Sequence, residues 1–282
     1  MVRAPVMTAT IERRLLINYQ VDPEVLTRVL PAPFRPHLVG GVGLAGICLI
    51  RLGNVHPAGG PGVGITTENA AHRIAVEWDT ADGPERGVYI PRRDTSSRLT
   101  ALVGGRLFPG FHGRARFEVR EPDGGYHIEL TALDGTTRVR VAAGLATELP
   151  AGSVFGSLAE ASDFFRQGSV GWSATPWAGV YDGVELEAPG WRLEPARLDA
   201  VESSFFDDTR RFPPGTAVPD GALLMRDLPS RWRPQGRLTA SSGGHGAVPA
   251  QSRTGRTTQA DSSRSSLDCL VCWVQADSVV PR

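Results

Sequence analysis

Residues whose types and spacing could do chemistry are concentrated in one short segment, PRRDTSSRL, at positions 91–99. Apolar residues precede it, so we expect a strand to end at Pro91 and a helix to begin near Asp94. Five polar side chains would then lie near the helix N-terminus: Arg92, Arg93, Asp94, Ser97 and Arg98. Free backbone amides, the helix dipole and bidentate guanidinium groups all favour a bound anion. The segment therefore predicts an anion-binding site.

A purely structural role stays open for the same residues. Asp94 could serve only as the helix N-cap, and the arginines could pair with carboxylates on adjoining strands. In the binding interpretation, Asp94 and Ser97 would orient the arginines or contact hydroxyl groups of the ligand.

His72 and Glu68 are the candidates for acid/base chemistry. His72 lies on the apolar side of the predicted strand HRIAVEWD, and Glu68 stands at the start of that strand. Imidazole titrates near neutrality and a partly buried glutamate shifts upward, which is what proton transfer beside a carbonyl needs. A histidine on an apolar face is also a common core residue. His112, between the turns of PGFHGRAR, is either a ligand contact or a plain loop residue.

The sequence lacks the residues that several kinds of catalytic or metal site require. The chain contains no lysine, and arginine cannot replace it as an amine nucleophile because guanidinium stays protonated. The six histidines show no metal-binding spacing, and Cys269-x-x-Cys272 supplies only half of a zinc site. No GxSxG motif is present. We therefore expect neither a metal nor a cofactor.

Composition narrows the class of partner. The 282 residues carry 30 basic and 30 acidic side chains, so no net positive charge favours nucleic acid or an anionic membrane. No apolar run of transmembrane length occurs, and the N-terminus lacks the pattern of a secretory signal. We expect a cytoplasmic protein with a small-molecule ligand and no nucleic-acid or membrane partner. Self-association into a homo-oligomer stays open.

The chain predicts strands punctuated by short helices. A strand at Ile11–Gln20 is followed by a helix with Asp22 as N-cap and Pro23 in its first turn. Gly43–Leu52 is apolar throughout, as in a strand buried on both faces, and it contains Cys48 as a buried thiol. The strand His72–Asp79 alternates apolar and polar residues, with His72 on its apolar side.

Between Gly113 and Ala143 the sequence predicts a three-stranded antiparallel meander. Its arginine-rich and glutamate-rich face is either solvated, which we favour, or the lining of a polar barrel interior. The helix near Asp94 would turn four side chains toward the core: Leu99, Leu102, Val103 and Leu107. Another helix follows the capping box Ser157-Leu-Ala-Glu160 and ends at Gly168. The predicted class is α+β with a mainly antiparallel sheet.

Four segments, in order, resemble one bacterial family. They are NYQVDPEVLTRVLP, RGVYIPRRDTSSRLTALVGGRLFPGFHGRARFEV, LAEASDFFRQGSVGWS and VESSFFDDTRRFPPGTAVPDGALLMRDLPSRW. The resemblance is to the YqjF-like family, which is related to acetoacetate decarboxylase, and it covers Ile11 to Trp232. It implies a barrel-like or cone-shaped sheet with a central pocket, in an acetoacetate decarboxylase-like domain over residues 1–237.

The same resemblance implies a lysine-based decarboxylation that this chain cannot perform, since it has no lysine for a Schiff base. Two functions remain open. One is a protein that binds a small carboxylate or carbonyl compound without transforming it. The other is an enzyme that acts on a small oxo- or hydroxy-acid by general acid/base catalysis, anchored by arginine. Residues 238–282 change abruptly in composition and predict an atypical, disordered tail.

Overall fold

The computed structural model describes residues 4–61, 64–103 and 109–240. They form thirteen strands and three helices, α1 (Pro23–Val29), α2 (Arg98–Val103) and α3 (Leu158–Gln167). The strands are β1 (Met7–Val21), β2 (Arg35–Pro36), β3 (Leu38–Val39), β4 (Val42–Pro57), β5 (Thr67–Thr80), β6 (Gly83–Thr95), β7 (His112–Arg120), β8 (Gly125–Ala132), β9 (Arg138–Leu145), β10 (Val170–Ala174), β11 (Val180–Glu187), β12 (Glu194–Ser203) and β13 (Ala217–Thr239). The predicted α+β class is confirmed. No helix within the described ranges has the length and apolar character needed to cross a membrane.

The strands form one mainly antiparallel sheet, and two additional strand pairings close it into two rings that share strands. It runs β11-β10-β6-β7-β8-β9-β12-β13-β1-β4-β5, and the further pairs β5–β6 and β11–β13 close it. The β5–β6 pair completes a nine-stranded ring, and the β11–β13 pair completes a seven-stranded ring. Both rings share β13, β1, β4, β5 and β6. The long strand β13 joins the two, because its first half pairs with β12 and its second half pairs with β11.

Sharing strands between two rings explains why β1 and β4 are apolar on both faces. Along β1, Leu15 and Ile17 pack in one hydrophobic cluster, whereas Leu16 packs in the other. On β4, Ile47 belongs to the first cluster and Cys48 to the second. The predictions that Gly43–Leu52 is buried on both faces and that Cys48 is a buried thiol are confirmed.

Two predicted helix starts are confirmed. Asp22 caps α1, with its carboxylate accepting from the amides of Glu24 and Val25. Ser157 caps α3 and accepts from the amide of Glu160 at 3.1 Å. The Glu160 carboxylate in turn accepts from the amide preceding the cap, and α3 ends at Gly168 as predicted.

The predicted strand end at Pro91 and helix start near Asp94 are wrong. Strand β6 continues to Thr95, because Asp94 and Thr95 pair with residues of β5 and of β7. Helix α2 begins only at Arg98, and the hydroxyl of Ser97 accepts from the Thr100 amide at its start. Asp94 therefore caps no helix.

The prediction that Leu99 and Leu102 of this helix face the core is also wrong. Leu99 is 54% exposed and Leu102 is 85% exposed. In this helix of six residues, the side chain that lines the cavity described below is that of Thr100, not of Leu99 or Leu102. Leu107 and the side chain of Val103 lie outside the described residues.

The meander predicted between Gly113 and Ala143 is confirmed as β7, β8 and β9. Arg116, Glu118 and Arg120 alternate with less exposed residues and face solvent. The solvated-face interpretation, which we favoured over a polar barrel interior, is confirmed by this exposure. At the other end of the fold, β13 continues through Leu238 and Thr239, which pair with β11. The rest of the predicted tail, including its two cysteines, lies outside the described residues.

Candidate functional site

A cavity of about 100 Å³ lies within the seven-stranded ring. A single water needs roughly 10–15 Å³ by the same measure, so the space suits a small ligand. Every strand of that ring contributes to its wall, and Phe165 of α3 and His112 of β7 complete it. Most of the wall is apolar: Cys48, Ile50, Leu52, Val88, Ile90, Val184 and Leu186. Three arginines, Arg14, Arg73 and Arg93, interrupt this surface, and we call the space the arginine-lined cavity.

Arg93 reaches the cavity from β6. Its Nε donates to the hydroxyl of Ser173 on β10 at 2.8 Å, which directs the guanidinium toward that wall. Gly171 on β10 lies beside it and leaves room for Ile90, since a Cβ there would lie 2.8 Å from Cδ1 of Ile90 and at an ordinary contact distance of 3.6 Å from Nη2 of Arg93. The partly accessible surface of Arg93 faces the cavity that it lines.

Arg73 extends from β5 to the opposite wall. Its Nη2 donates to Oδ1 of Asn18 on β1 at 2.5 Å, across the intervening strand β4. Gly46 permits this crossing, because a Cβ at that position would lie 3.3 Å from the Arg73 guanidinium and 2.1 Å from the carbonyl oxygen of Ile17. The Arg73 guanidinium also lies over the ring of Phe165 at 4.7 Å.

Arg14 lies on β1, on the same face as Asn18. Its guanidinium lies 5.5 Å from the ring centroid of Trp191. Two of its buried nitrogens, Nε and Nη1, have no hydrogen-bond partner among the described residues, and neither does Nε of Arg73. A buried donor without an acceptor is costly, so these atoms favour a ligand that accepts hydrogen bonds.

The three cavity arginines have no carboxylate partner. None of the ion pairs found among the described residues includes Arg14, Arg73 or Arg93. Asp94 is the one acidic residue of the described lining, and its carboxylate binds Arg92 instead. The cavity is therefore cationic and lacks an internal counterion.

Burial lowers the pKa values of two of the cavity arginines and of the imidazole that lines the cavity. It lowers the pKa of Arg93 to about 10, and burial together with the charge of Arg14 lowers that of Arg73 to about 10. Both guanidinium groups stay charged at neutral pH. Burial and then the nearby Arg93 charge lower the pKa of His112 to about 3, so its imidazole is neutral. Nδ1 of His112 donates to the Gly110 carbonyl at 3.2 Å.

The adjacent arginines of PRRDTSSRL lie on opposite faces of β6. Arg93 faces the cavity, whereas Arg92 binds Asp94 with 2.7 Å between Nη2 and Oδ1. Arg92 also contacts Asp134 and the hydroxyl of Thr136, outside the cavity. These carboxylates raise the pKa of Arg92. The expected cluster at a helix N-terminus does not form, because successive strand residues point to opposite faces.

Of the other predicted site residues, Ser97, Arg98 and His72 lie outside the arginine-lined cavity. The Ser97 hydroxyl accepts a hydrogen bond from the Thr100 amide at the start of α2. Arg98 is the first residue of that helix, and its side chain is exposed. His72 is 1% exposed on the face of β5 opposite Arg73, with Nε2 3.3 Å from the hydroxyl of Ser203. Burial, then the charges of Arg92 and Arg211, lower its pKa to about 3. Among the predicted residues, Arg93 and His112 line the cavity, together with Asp94, whose carboxylate is held elsewhere.

Glu68 belongs to an ion quartet in which Arg13 is buried and the other three side chains are 14–30% exposed. Arg13 contacts both Glu68 and Glu121, and Arg51 contacts the same two carboxylates. This arrangement neutralises all four charges and occupies the Glu68 carboxylate. Within the part of the chain that the structure describes, no group of three His, Cys, Asp or Glu residues could hold a metal.

Sequence reasoning missed Arg14, Arg73 and Ser173. On the predicted strand, Arg73 shares one face with Ala71 and Ala75, whereas the larger apolar residues lie on the opposite face. This pattern indicated that the face with Arg73 is exposed to solvent. An arginine flanked on its own strand face by two alanines can indicate a buried charge. That interpretation requires both faces of the strand to be covered by other elements, which the sequence alone does not reveal. That second cover comes from β10, β11 and α3, which are distant in sequence.

Comparison with known families gives one match over most of the chain. The model of the DUF2071 family, described as "Uncharacterized conserved protein (COG2071)", matches residues 8–220. No curated protein matches the chain.

Solved structures share this fold at low sequence identity. Acetoacetate decarboxylase from Legionella pneumophila is 13% identical, with a TM-score of 0.54 over 84% of this chain and 88% of that chain. An acetoacetate decarboxylase-like enzyme from Sphingomonas wittichii RW1 is 14% identical, with a TM-score of 0.52 over 85% and 93%. The enduracididine biosynthesis enzyme MppR in complex with pyruvate is 13% identical, with a TM-score of 0.50 over 86% and 92%. The likeness confirms the acetoacetate decarboxylase-like fold.

Proposed function

Since the chain belongs to the DUF2071 family and has the acetoacetate decarboxylase-like fold, we propose that it binds a small carboxylate or carbonyl compound in the arginine-lined cavity. One observation carries the proposal. Arg14, Arg73 and Arg93 line an apolar cavity without a carboxylate partner among the described residues. A guanidinium group removed from bulk water is stabilised by an anion with which it can form charge-assisted hydrogen bonds.

The nearby quartet shows how this fold treats a buried arginine outside the cavity. The Arg13 side chain is 3% exposed and contacts two glutamates at 2.5 Å. Of the cavity arginines, Arg73 is buried and Arg14 and Arg93 are half-buried, and the side chains that accept their hydrogen bonds among the described residues are the neutral Ser173 and Asn18. The difference supports a ligand that supplies the missing negative charge.

The cavity also favours a particular ligand shape. A carboxylate or carbonyl oxygen would meet a guanidinium group, while a short carbon chain would lie against Ile50, Ile90 and Leu186. MppR was solved in complex with pyruvate, which is a carboxylate of this size class. That protein supports the ligand class by analogy of fold alone.

Binding without chemistry accounts for the lining better than catalysis does. General acid/base catalysis needs titratable groups whose pKa values approach the working pH. The imidazole in the described lining, His112, has a pKa lowered to about 3, and the arginines stay protonated. The chain also has no lysine for a Schiff base. An acid/base enzyme would instead depend on His72 or Glu68, which lie on the other face of the shared strands.

Thermal shift with a panel of small carboxylates tests the proposal. We expect pyruvate, acetate or butyrate to raise the melting temperature of the wild type, and the corresponding neutral amides to leave it unchanged. Arg93→Ala should reduce the shift, because it removes one of the three cavity arginines, whereas Arg98→Ala should preserve it, because Arg98 is exposed outside the cavity. Equal stabilisation of all three proteins would contradict the proposed site.

We place this function in the cytoplasm, as predicted from the absence of a transmembrane run and of a secretory pattern in the sequence, with a small-molecule ligand as the partner. The acetoacetate decarboxylase-like domain predicted over residues 1–237 would carry it, extended by the last residues of β13. Self-association stays a prediction.

A further inference from the structure

The cavity arginines occupy two opposite walls of the seven-stranded ring. Arg73 is held toward β1 by Asn18, and Arg14 lies on that same strand. Arg93 is held toward β10 by Ser173. In the ring, β1 and β10 are separated by β4, β5 and β6, which places them across the cavity from one another.

The two groups differ in electrostatic surroundings as well. The positive charge of Arg14 lowers the pKa of Arg73, so these two guanidinium groups lie close enough to repel each other. Burial lowers the pKa of Arg93, whose Nε is held at the other wall by Ser173. One wall thus carries two mutually repelling charges and the opposite wall carries a third.

Between the walls the lining is mainly apolar, and Thr67 and Asn69 of β5 are polar members of it. Cys48 of β4, Ala71 of β5 and Ile90 of β6 separate the two cationic groups. Polar atoms in the middle of a ligand would lie against this surface without hydrogen-bond partners, whereas a short methylene chain would pack on it. The charge distribution therefore matches a ligand with an anionic group at each end and an apolar centre.

We propose that the ligand of this cavity is a short-chain dicarboxylate, bound with one carboxylate at Arg14 and Arg73 and the other at Arg93. This inference rests on the proposed function and refines it. A monocarboxylate would satisfy one wall and leave the other arginine without a counterion. A dicarboxylate places a negative charge at both walls, and a planar guanidinium group can bind a carboxylate through two hydrogen bonds.

The test uses three pairs of acids with equal chain length: succinate with butyrate, glutarate with pentanoate, and adipate with hexanoate. Isothermal titration at constant ionic strength measures the affinity of each for the full-length protein. In at least one pair we expect the diacid to bind about tenfold or more tightly than the monoacid. Within each pair, one carboxylate is replaced by a methyl group, so length is held constant.

Two variants test the placement. Arg93→Met removes the charge of one wall and should reduce the preference for the diacid to about onefold, whereas Arg14→Met removes one of the two charges of the other wall and should weaken the preference. Arg116→Met is the matched control, because Arg116 is an exposed arginine of β7 that forms no ion pair among the described residues, and it should keep the wild-type preference. If one cavity variant fails to fold, the other still tests the opposite wall.

The outcomes separate the two proposals. Equal affinity for diacids and monoacids in all three pairs would overturn the dicarboxylate assignment and leave carboxylate binding intact. No binding by any of the six acids would overturn both. A full diacid preference in Arg93→Met, or a preference that Arg14→Met leaves unchanged, would overturn the assignment of the two walls.

Discussion

Cys48 and Arg93 pair with the same residue, Ala71, from opposite sides of β5. Side chains at directly opposed positions of neighbouring strands share a face, so the thiol and the guanidinium both face the cavity. Cys48 also neighbours Arg73 closely enough for its sulfur to influence the pKa of that guanidinium. A thiol thus lies between the two cationic walls.

This position predicts charge-selective alkylation of Cys48. Iodoacetate should react faster than iodoacetamide, in contrast to a free thiol in solution, because the cationic cavity attracts the anionic reagent. The rates are measured by peptide mapping in a Cys269→Ser, Cys272→Ser background, which removes the other two cysteines of the chain. Arg93→Met should weaken the preference, and a bound carboxylate should slow both reactions. Equal selectivity with and without Arg93 would show that the cavity charge has no influence on the thiol.

Gly46 predicts a link between backbone packing and the cavity. Gly46→Ala would place a Cβ 2.1 Å from the carbonyl oxygen of Ile17, so β1 and β4 must separate. We expect a loss of about 3 kcal/mol in the free energy of unfolding, measured by urea denaturation. Carboxylate affinity should fall as well, since the same Cβ crowds the Arg73 guanidinium.

Gly152→Ala provides the control for this substitution. A Cβ at Gly152 has no heavy atom within 4 Å, so the same change in composition should leave stability and binding close to wild type. If Gly46→Ala behaved like Gly152→Ala, the close approach of the Arg73 guanidinium to β4 would not hold in solution.

The buried histidines predict acid sensitivity. Burial lowers the pKa values of His72 and His112 from 6.5 to about 3 in the folded protein. Between these values the unfolded chain binds protons that the folded protein does not, so stability is present above about pH 6.5 and falls with decreasing pH. At a pH near 5 each histidine should cost about 2 kcal/mol relative to neutral pH.

Substitution separates this effect from general acid denaturation. His72→Gln removes one titrating group, and it should reduce the slope of unfolding free energy against pH by about 1.4 kcal/mol per pH unit. His127→Gln is the control, because His127 is exposed on β8. The measurement is a series of urea denaturations between neutral and acidic pH. An unchanged slope in His72→Gln would mean that His72 is protonated in the folded protein.

Local patterns were sufficient to predict most elements of this fold but not its candidate site. The capped starts of α1 and α3 follow from Asp22 and Ser157, whose side chains bond to amides within four residues. The meander follows from alternation and two turns. The segment after Pro91 could not be predicted in this way, because β6 is extended there by pairing with β5 and β7. Distant strands override the local preference for a helix start at Asp94.

The cavity depends on long-range closure even more strongly. Arg14 and Arg73 face inward only because β11 pairs with β13 and completes the second ring. Without that pairing, the same faces of β1 and β5 would lie at the surface, where an arginine has no special meaning. The segment PRRDTSSRL did contain one cavity arginine, Arg93, but strand alternation separates it from Arg92.

The ion quartet predicts that Glu68 stabilises the fold without taking part in binding. Glu68→Gln would leave Arg13, whose side chain is 3% exposed, with Glu121 as its one remaining carboxylate. We expect a loss of about 3 kcal/mol in unfolding free energy, because a buried charge loses part of its compensation. Carboxylate affinity should stay within about twofold of wild type, since Glu68 does not line the cavity. Strong loss of binding with little loss of stability would instead favour acid/base catalysis by Glu68.

The end of β13 predicts where the chain can be shortened. Leu238 pairs with Tyr181 and packs against the hydrophobic cluster that contains Leu15 and Ile17, and Thr239 pairs with Val180. A chain ending at Arg237 loses these contacts and should be less stable by about 1 kcal/mol, whereas one ending at Ala240 keeps them and should melt like the full chain. Differential scanning calorimetry of the three chains measures the difference. Equal destabilisation of both shortened chains would assign the stabilising contacts to residues beyond Ala240, and equal melting of all three would show that the last pairs of β13 contribute nothing.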